Sequence, residues 1–198
     1  MELSDVVRRR RMVRAYRPEP VERAVLERIL DTARRAPSAG YAQGQHFVVL
    51  TGQADRMRLA ELCDEARYVA EGFEPWLSRA PVHVVPCVRP ADYDTRYAAA
   101  DKATSSPPRE WRVPFWWVDA GASLMLLLLA TVDEGLAGGM LALADTPELR
   151  NLLSLPDDVQ PLGVVTIGHP APDRRSGSLA RGRRPLHEVV HHGRWNAT

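Results

Sequence analysis

Two groups of arginines, one near each end of the chain, are the residues most suited to bind a charged group. Residues 8–11 and Arg14 place five guanidinium groups within seven residues, and Arg181, Arg183 and Arg184 follow near the other end. Closely spaced guanidinium groups repel one another unless water, carboxylates or a polyanion compensates their charge. A solvated helix face with salt bridges, a nucleic-acid surface and a bidentate phosphate site would each explain this pattern.

The overall charge argues against the nucleic-acid alternative. The 198 residues include 26 Lys and Arg against 25 Asp and Glu, which gives a formal net charge of +1. No pattern of aromatic residues suited to base stacking accompanies the arginines. We therefore expect no nucleic-acid partner.

Composition and length indicate one globular domain over residues 1–198, in a reducing, cytoplasmic setting. Hydrophobic residues make up 45% of the chain, and the two cysteines, Cys63 and Cys87, are too few for a disulfide framework. The longest apolar run, residues 120–130, is about half of a membrane span, so no membrane segment is expected. The six histidines show no metal-ligand spacing, and we expect no metal site.

Two further segments have groups suited to a flat ligand. In the loop 37–43, small residues allow close approach of the backbone, and Ser38 and Gln43 offer hydrogen-bonding groups. The stretch 89–117 is predicted to be a variable insert, mostly a long loop of the kind that forms lids and binding sites. Its aromatic side chains could belong to the core or could stack a planar ligand. Those side chains are Tyr97, Trp111, Phe115 and Trp116.

Hydrophobic periodicity predicts an α+β fold. Apolar spacing predicts helices at 3–11, 21–33, 56–67, 119–135 and 145–153, and short apolar, β-branched runs predict strands at 46–50, 82–88 and 160–168. Residues 186–190 are a candidate fourth strand. Pro86 indicates that the second strand lies at an edge of the sheet or ends there.

In order and spacing, these segments resemble the nitroreductase family of FMN-dependent oxidoreductases. The resemblance rests on residues 10–16, 18–21, 36–40 with Gln43, 47–50, 133–136, 162–168 and 183–190. It implies an α+β subunit with a central, mostly antiparallel sheet flanked by helices. It also implies a domain-swapped homodimer, in which each C-terminal segment covers the partner's sheet and two FMN sites lie at the subunit interface.

The resemblance implies FMN-binding roles by position. N-terminal arginines would hold the phosphate and the pyrimidine edge, and an arginine pair near the C terminus, expected on the other subunit, would hold the same phosphate. The loop would line the ribityl chain and the ring, and a later apolar segment would bring backbone amides to flavin N5 and O4. The residues so assigned are Arg10, Arg11, Met12, Arg14, Pro37, Ser38, Ala39, Tyr41, Gln43, Met140, Leu141, Ala142, Arg181 and Arg183.

The implied activity is hydride transfer from NAD(P)H through the flavin to a small, planar, electron-poor acceptor by a ping-pong mechanism. Nitroaromatics, quinones and activated alkenes are such acceptors, and Tyr97, Trp111, Phe115 and Trp116 would form the substrate site. No side chain need act as a general acid. Arg14 would give electrostatic support to the negative charge that develops near flavin N1.

Two other functions remain open at this point. One is a flavin-dependent oxidase or flavin-fragmenting enzyme of the dimethylbenzimidazole-synthase type, and the other is a non-enzymatic, arginine-rich binding module. The chain also departs from the family pattern beside the expected flavin. Met12 stands where a serine is common, Tyr41 where an asparagine is frequent, and Gly44-Gln45 where proline-tryptophan is usual.

Overall fold

Helices and strands alternate along the chain, whose computed structural model describes residues 1–102, 111–174 and 177–195. The α-helices are α1 (Leu3–Arg9), α2 (Arg23–Ala33), α3 (Gln53–Leu62), α4 (Glu65–Ala70), α5 (Trp76–Arg79), α6 (Pro90–Tyr97), α7 (Phe115–Asp133) and α8 (Pro147–Leu153). The strands are β1 (Gln45–Leu50), β2 (Val82–Val88), β3 (Ala137–Leu141), β4 (Gln160–Pro161) and β5 (Val164–Gly168). Short 3-10 helices occupy Ala39–Tyr41, Gly177–Arg181 and Leu186–Glu188.

The strands form one antiparallel sheet in the order β1-β2-β5-β3, and the short β4 also pairs with β2. In this register His46 lies opposite Cys87, and Val165 of β5 lies between Val84 and Met140. The inner strands β2 and β5 are buried along their whole length. The prediction of an α+β fold with a mostly antiparallel sheet is confirmed.

Helices cover both faces of the sheet, because successive residues of a strand point to opposite sides. On one face, Ile29 of α2 and Leu127 of α7 belong to the same apolar cluster as Val84. On the other face, Leu59 of α3 clusters with Val85. The apolar stripe that predicted α2 is therefore the stripe that the helix buries.

Two of the predicted helices differ from the structure by more than two residues at a boundary. The predicted helix 56–67 is two helices, α3 and α4, separated by Asp64, whose φ of 54° is left-handed and ends regular α-helix. The helix predicted at 119–135 begins four residues earlier, at Phe115. Trp116 and Trp117, predicted to lie in the insert, thus lie on the first turn of α7.

Three other segments also differ from prediction. The insert contains the helix α6, with Pro90 at its first position, and residues 103–110 of the insert lie outside the described residues. The predicted strand 160–168 is interrupted between β4 and β5. Residues 186–190 include a 3-10 helix, because in the described part of the chain no strand pairs with them and a lone strand has no ladder to stabilise it.

Pro86 lies in an inner strand, so its prediction as an edge or end marker is wrong. Its carbonyl oxygen accepts a hydrogen bond from the Leu162 amide at 2.8 Å. Residues 82–84 of β2 pair with β5, whereas Cys87 and Val88 pair with β4. The missing N–H of Pro86 therefore faces the interruption between β4 and β5, where the ladder is already broken.

Helix α7 is the longest helix of the described residues and is strongly apolar. By length and composition it is long enough to cross a membrane, with a mean hydropathy of 1.7 over an 18-residue window of which 39% is buried. Its buried residues pack against α2 and the sheet, as the core helix of a globular protein does. The remaining face of α7 is apolar and exposed, with Val118 and Met125 about half accessible.

Stability is predicted to fall on acidification because of His83. This residue of β2 is fully buried, its Nε2 donates to the Leu77 carbonyl at 2.7 Å, and its Nδ1 has no partner among the described residues. Burial lowers the pKa of His83 from 6.5 to about 4. The unfolded chain therefore takes up a proton first. Stability is full above pH 6.5 and is lost as the pH falls towards 4, by an amount on the order of 3 kcal/mol.

Urea denaturation of the wild type and of His83→Gln between pH 7.5 and pH 4.5 checks this expectation. Gln can still donate to the Leu77 carbonyl but does not titrate. The free energy of unfolding should fall less with acidification in the variant than in the wild type. Equal slopes in the two proteins would assign the acid sensitivity to other groups.

Candidate functional site

The N-terminal arginine segment lies along the free edge of β3. Met12 forms an isolated parallel bridge with Gly138, and the Val13 amide donates to the Gly138 carbonyl at 3.1 Å. On its other side the segment pairs with the chain that leaves β5, because Ala171 donates to the Ala15 carbonyl at 3.1 Å. The segment is thus held between a strand and the start of the C-terminal tail.

A glycine allows this close approach. A Cβ atom at Gly139 would lie 2.3 Å from the Val13 carbonyl oxygen, a distance that real structures do not show. Tyr16 then fixes the segment from within, because its buried hydroxyl donates to the Val13 carbonyl at 2.9 Å and lies 2.7 Å from Thr166 Oγ1. The position of the arginines is therefore set by the core of the sheet.

One carboxylate lies among the predicted phosphate ligands. Asp173 accepts a hydrogen bond from the Arg14 amide at 3.0 Å, and its Oδ2 lies 3.9 Å from an Arg11 nitrogen. The Arg14 guanidinium carbon lies 5.8 Å from the ring centroids of both Phe73 and Trp76, within the range of cation–π attraction. Arg11 is therefore partly neutralised, and the charge of Arg14 is held over two aromatic rings.

The predicted cofactor loop has an unusual backbone. The backbone φ angles of Gly40, Tyr41 and Gln43 are 61°, 61° and 54°. Residues other than glycine seldom adopt such positive values. The loop closes on itself, since the Gln43 amide donates to Ser38 Oγ at 2.9 Å. Tyr41 is 73% exposed, and Pro37 is also exposed. Such strain is typical of functional loops that their surroundings hold in place.

The four predicted substrate aromatics do come together. Trp111 is the centre of the cluster, with ring centroids 4.9 Å from Tyr97, 6.1 Å from Phe115 and 5.9 Å from Trp116. All three contacts are edge-to-face, and Tyr93 of α6 joins the cluster in the same way. The cluster adjoins the cofactor loop, because a Cβ atom at Gly40 would lie 2.9 Å from the Tyr97 ring.

The two predicted parts of the cofactor site lie on opposite edges of the sheet. The loop 37–43 leads directly into β1, whereas the arginine segment pairs with β3. Strands β2 and β5 lie between them, so the two edges are roughly 14 Å apart at the usual strand spacing. Met140 and Leu141 lie at the end of β3, and Ala142 follows exposed. The chain therefore does not bring the loop to the arginines.

The second arginine pair is exposed. In the described part of the chain, neither Arg181 nor Arg183 forms an ion pair with an acidic residue. The tail nevertheless starts beside the N-terminal arginines, at Asp173. Arg181 follows Asp173 by eight residues, and an extended chain of that length reaches up to about 27 Å. Because Gly177–Arg181 is a 3-10 helix, the reach in the structure is shorter than this limit, and no contact among the described residues joins the two arginine groups.

Cavity size alone does not mark the site. A cavity of about 520 Å³, lined in part by Thr51 and Arg56, lies where β1 ends and β2 begins, away from the predicted ligands. A smaller cavity of about 210 Å³ lies against Leu141 and Ala142 and is bounded by Arg67 and Tyr68, among others. A third cavity of about 190 Å³ is lined in part by Arg9 and Arg11, so two small cavities adjoin predicted ligands and the cavity of about 520 Å³ does not.

Several site residues were not found from the sequence. Asp119 contacts the predicted loop at Ala39, 80 residues away, and Tyr93 contacts Asp119, 26 residues away. Asp173 contacts Arg14, 159 residues away along the chain. No local spacing signals a contact over such distances. Arg67 was predicted only as the last residue of the helix 56–67, and Tyr68 was not singled out.

The sheet order and the helices on both faces define an α+β protein with the nitroreductase fold. The nitroreductase family protein of Streptococcus pneumoniae TIGR4 has a TM-score of 0.76 at 18% identity, over 96% of this chain and 99% of that one. The NADPH:FMN oxidoreductase from Vibrio harveyi, solved in complex with NAD+, has a TM-score of 0.74 at 21% identity, over 99% of this chain and 79% of that one.

The sequence agrees with the fold. The family described as the nitroreductase family matches residues 7–169. The FMN reductase (NAD(P)H) of Bacillus subtilis (strain 168) is 31% identical over 197 residues, which cover 91% of this chain and 69% of that protein. The chain belongs to the nitroreductase family.

Proposed function

We propose that the protein is an FMN-dependent NAD(P)H oxidoreductase that reduces a small, planar, electron-poor acceptor by a ping-pong mechanism. Membership of the nitroreductase family and the similarity to an FMN reductase support an NAD(P)H-dependent flavin enzyme. Nitroaromatics, quinones and activated alkenes are the acceptor class. The observation that carries the proposal is the arginine segment on the edge of β3, to which the tail that carries the second arginine pair is hydrogen-bonded at Asp173.

The residues present fit FMN. A phosphate monoester has nearly two negative charges at pH 7 and is bound well by bidentate guanidinium groups. Arg10, Arg181 and Arg183 form no ion pair among the described residues, so these guanidinium groups are available for a phosphate. Beyond Gly138 the outer edge of β3 has no strand partner in the described chain, which leaves backbone groups near residues 140–142 for a ring.

Bound FMN would supply the two-electron hydride chemistry that connects NAD(P)H to the acceptor. The protein's part is to bind, orient and polarise. Arg14 holds a fixed positive charge beside the site, since its guanidinium rests on Phe73 and Trp76. A nearby cation stabilises negative charge that develops during reduction. The aromatic cluster around Trp111 would bound the space for a planar acceptor.

A homodimer would complete the site. The exposed face of α7 presents Phe115, Val118 and Met125, and α1 adds Leu3 and Val7. Contiguous exposed apolar surface of this kind is typical of subunit interfaces. A second copy would also bring its own loop 37–43 to the arginine edge of the first, which one chain alone does not do. We propose that each FMN lies between the arginines of one subunit and the loop of its partner.

Colour and anaerobic reduction test this proposal. The purified protein should be yellow, should lose its visible flavin absorbance on addition of NADH or NADPH without oxygen, and should regain it with a quinone or nitroaromatic. A colourless protein with steeply salt-dependent binding to polyanions would instead support a non-enzymatic binding module. Fragments of the flavin after aerobic turnover would favour the flavin-fragmenting reaction.

A further inference from the structure

A buried carboxylate joins the cofactor loop to the substrate-side helices. Asp119, on the second turn of α7, is 7% exposed. Its Oδ2 accepts hydrogen bonds from the Tyr93 hydroxyl at 2.7 Å and from the Ala39 amide at 2.9 Å. Among the described residues no cation forms an ion pair with it. A buried carboxylate without a cation is costly unless donors satisfy it, so these two donors define its environment.

The Ala39 amide opens the part of the loop with left-handed backbone. The Gly40, Tyr41 and Gln43 conformations that follow are individually unfavourable for most residues, so external contacts must hold them. Helix α6 supplies two of those contacts. Arg96 Nε donates to the Gly40 carbonyl at 2.6 Å, and the Tyr97 ring lies directly against the Gly40 Cα.

Tyr93 completes the arrangement from α6. Its ring is buried and packs edge-to-face on Trp111 and Trp116, which fixes the direction of its hydroxyl. Burial and the neighbouring Asp119 carboxylate both raise the pKa of the Tyr93 phenol well above its usual value. The hydroxyl therefore stays protonated and donates to Asp119 throughout the pH range in which the protein would work.

We propose that Asp119, oriented by Tyr93, is a positioning residue that holds the loop 38–43 in its FMN-binding conformation. The inference rests on the proposed function, because that function assigns the loop to the flavin. It goes further in giving α6 and α7 a role in cofactor binding. The aromatic cluster that would contact the acceptor and the loop that would contact FMN thus share one buried hydrogen-bond network.

The test compares Asp119→Ala, Asp119→Asn and Tyr93→Phe in the full-length protein. Asp119→Ala removes the acceptor from the Ala39 amide and should weaken FMN binding by about 10- to 100-fold. Asp119→Asn keeps an acceptor oxygen and should recover most of the affinity. Tyr93→Phe keeps the ring packing and should lie between them. FMN dissociation constants would be measured by quenching of flavin fluorescence on titration of the FMN-free protein.

Ser123→Ala is the matched control. Ser123 lies four residues after Asp119 on α7, is also buried, and donates to the Ala33 carbonyl rather than to the loop. It should leave FMN affinity unchanged. Hydrogen–deuterium exchange of FMN-free proteins gives a second readout. Exchange should accelerate in a peptide covering residues 38–43 in Asp119→Ala, but not in Ser123→Ala.

Each outcome decides between the two proposals. If wild type, Asp119→Ala and Ser123→Ala bind FMN equally, or if loop exchange changes without any change in affinity, the positioning role is wrong and the proposed function stands. If the wild type binds no FMN, the proposed function fails, and so does the inference that depends on it. If Asp119→Ala does not fold, the affinities of Asp119→Asn and Tyr93→Phe decide.

Discussion

Replacement of both Arg10 and Arg183 by alanine is expected to release FMN during dialysis. A hydrogen bond to a charged group contributes about 1.5–3 kcal/mol, so the loss of two such contacts should weaken binding by roughly 10²- to 10⁴-fold. Neither arginine forms an ion pair among the described residues, so no buried carboxylate is left without a partner. The measurement is the flavin-to-protein absorbance ratio before and after dialysis.

The double variant Arg23→Ala/Arg58→Ala provides the control for this loss of charge. These two arginines are exposed on α2 and α3 and pair with Glu27 and Glu61. The control should retain its flavin. If the Arg10/Arg183 variant also retains all of its flavin, the phosphate assignment is wrong.

A mixed dimer shows which chain supplies each arginine. The sequence led us to expect Arg10 and Arg183 on different subunits, and the alternative is that one chain supplies both through the tail that follows Asp173. Co-expressed Arg10→Ala and Arg183→Ala subunits with different tags would then form dimers in which both sites are defective. One intact site per mixed dimer would instead support the arrangement with two subunits.

Gly139→Ala is expected to destabilise the protein severely. The added Cβ would lie 2.3 Å from the Val13 carbonyl oxygen and 3.1 Å from both Thr166 Oγ1 and the Tyr16 hydroxyl. Because the Val13 carbonyl belongs to the backbone, it cannot rotate away as a side chain can. The arginine segment would therefore have to move away from β3. We expect a loss of about 3 kcal/mol or more, roughly 6–12 °C in Tm, together with loss of FMN.

Gly52→Ala is the matched control for the added methyl group. A Cβ atom at Gly52 would meet only the Asp55 carboxylate, at 3.2 Å, which can rotate away. The free energy of unfolding of Gly52→Ala should differ from that of the wild type by less than about 0.5 kcal/mol. Thermal unfolding of both variants in the absence of FMN measures the change in stability separately from the loss of FMN. A Gly139→Ala protein as stable as the wild type would show that the contact between β3 and the arginine segment is dispensable.

The sequence predicted well those helix ends that neighbouring residues determine. Helix α8 begins within two residues of its predicted start, because Thr146 caps the helix, its hydroxyl accepting from the Leu149 amide at 3.2 Å, and Pro147 begins it. Helix α6 was missed because its residues lack an apolar stripe, and its stability comes from contacts such as Tyr93 with Asp119. The position of Pro86 depended on where a strand more than 70 residues further along is interrupted, which no local pattern records.

For the candidate site, the sequence predicted only those segments to which the family resemblance assigns a role by position. The aromatic side chains of the insert could have belonged to the core or could have stacked a planar ligand. Their mutual edge-to-face packing shows that they cluster with one another, and ligand stacking stays a prediction. The role of Asp173 could not be predicted. An acid beside Arg11 and Arg14 becomes visible only once the two ends of the chain lie side by side.

That side-by-side arrangement has a consequence for the order of events during synthesis. Residues 14–17 form hydrogen bonds with residues 169–173. Arg14 and Asp173, one of these pairs, are 159 residues apart along the chain. Contacts so distant in sequence form late, since the entropy of closing the intervening chain must be overcome first. The N-terminal arginines therefore lack their final neighbours until residue 173 has left the ribosome, and any cofactor binding that depends on them must follow that step.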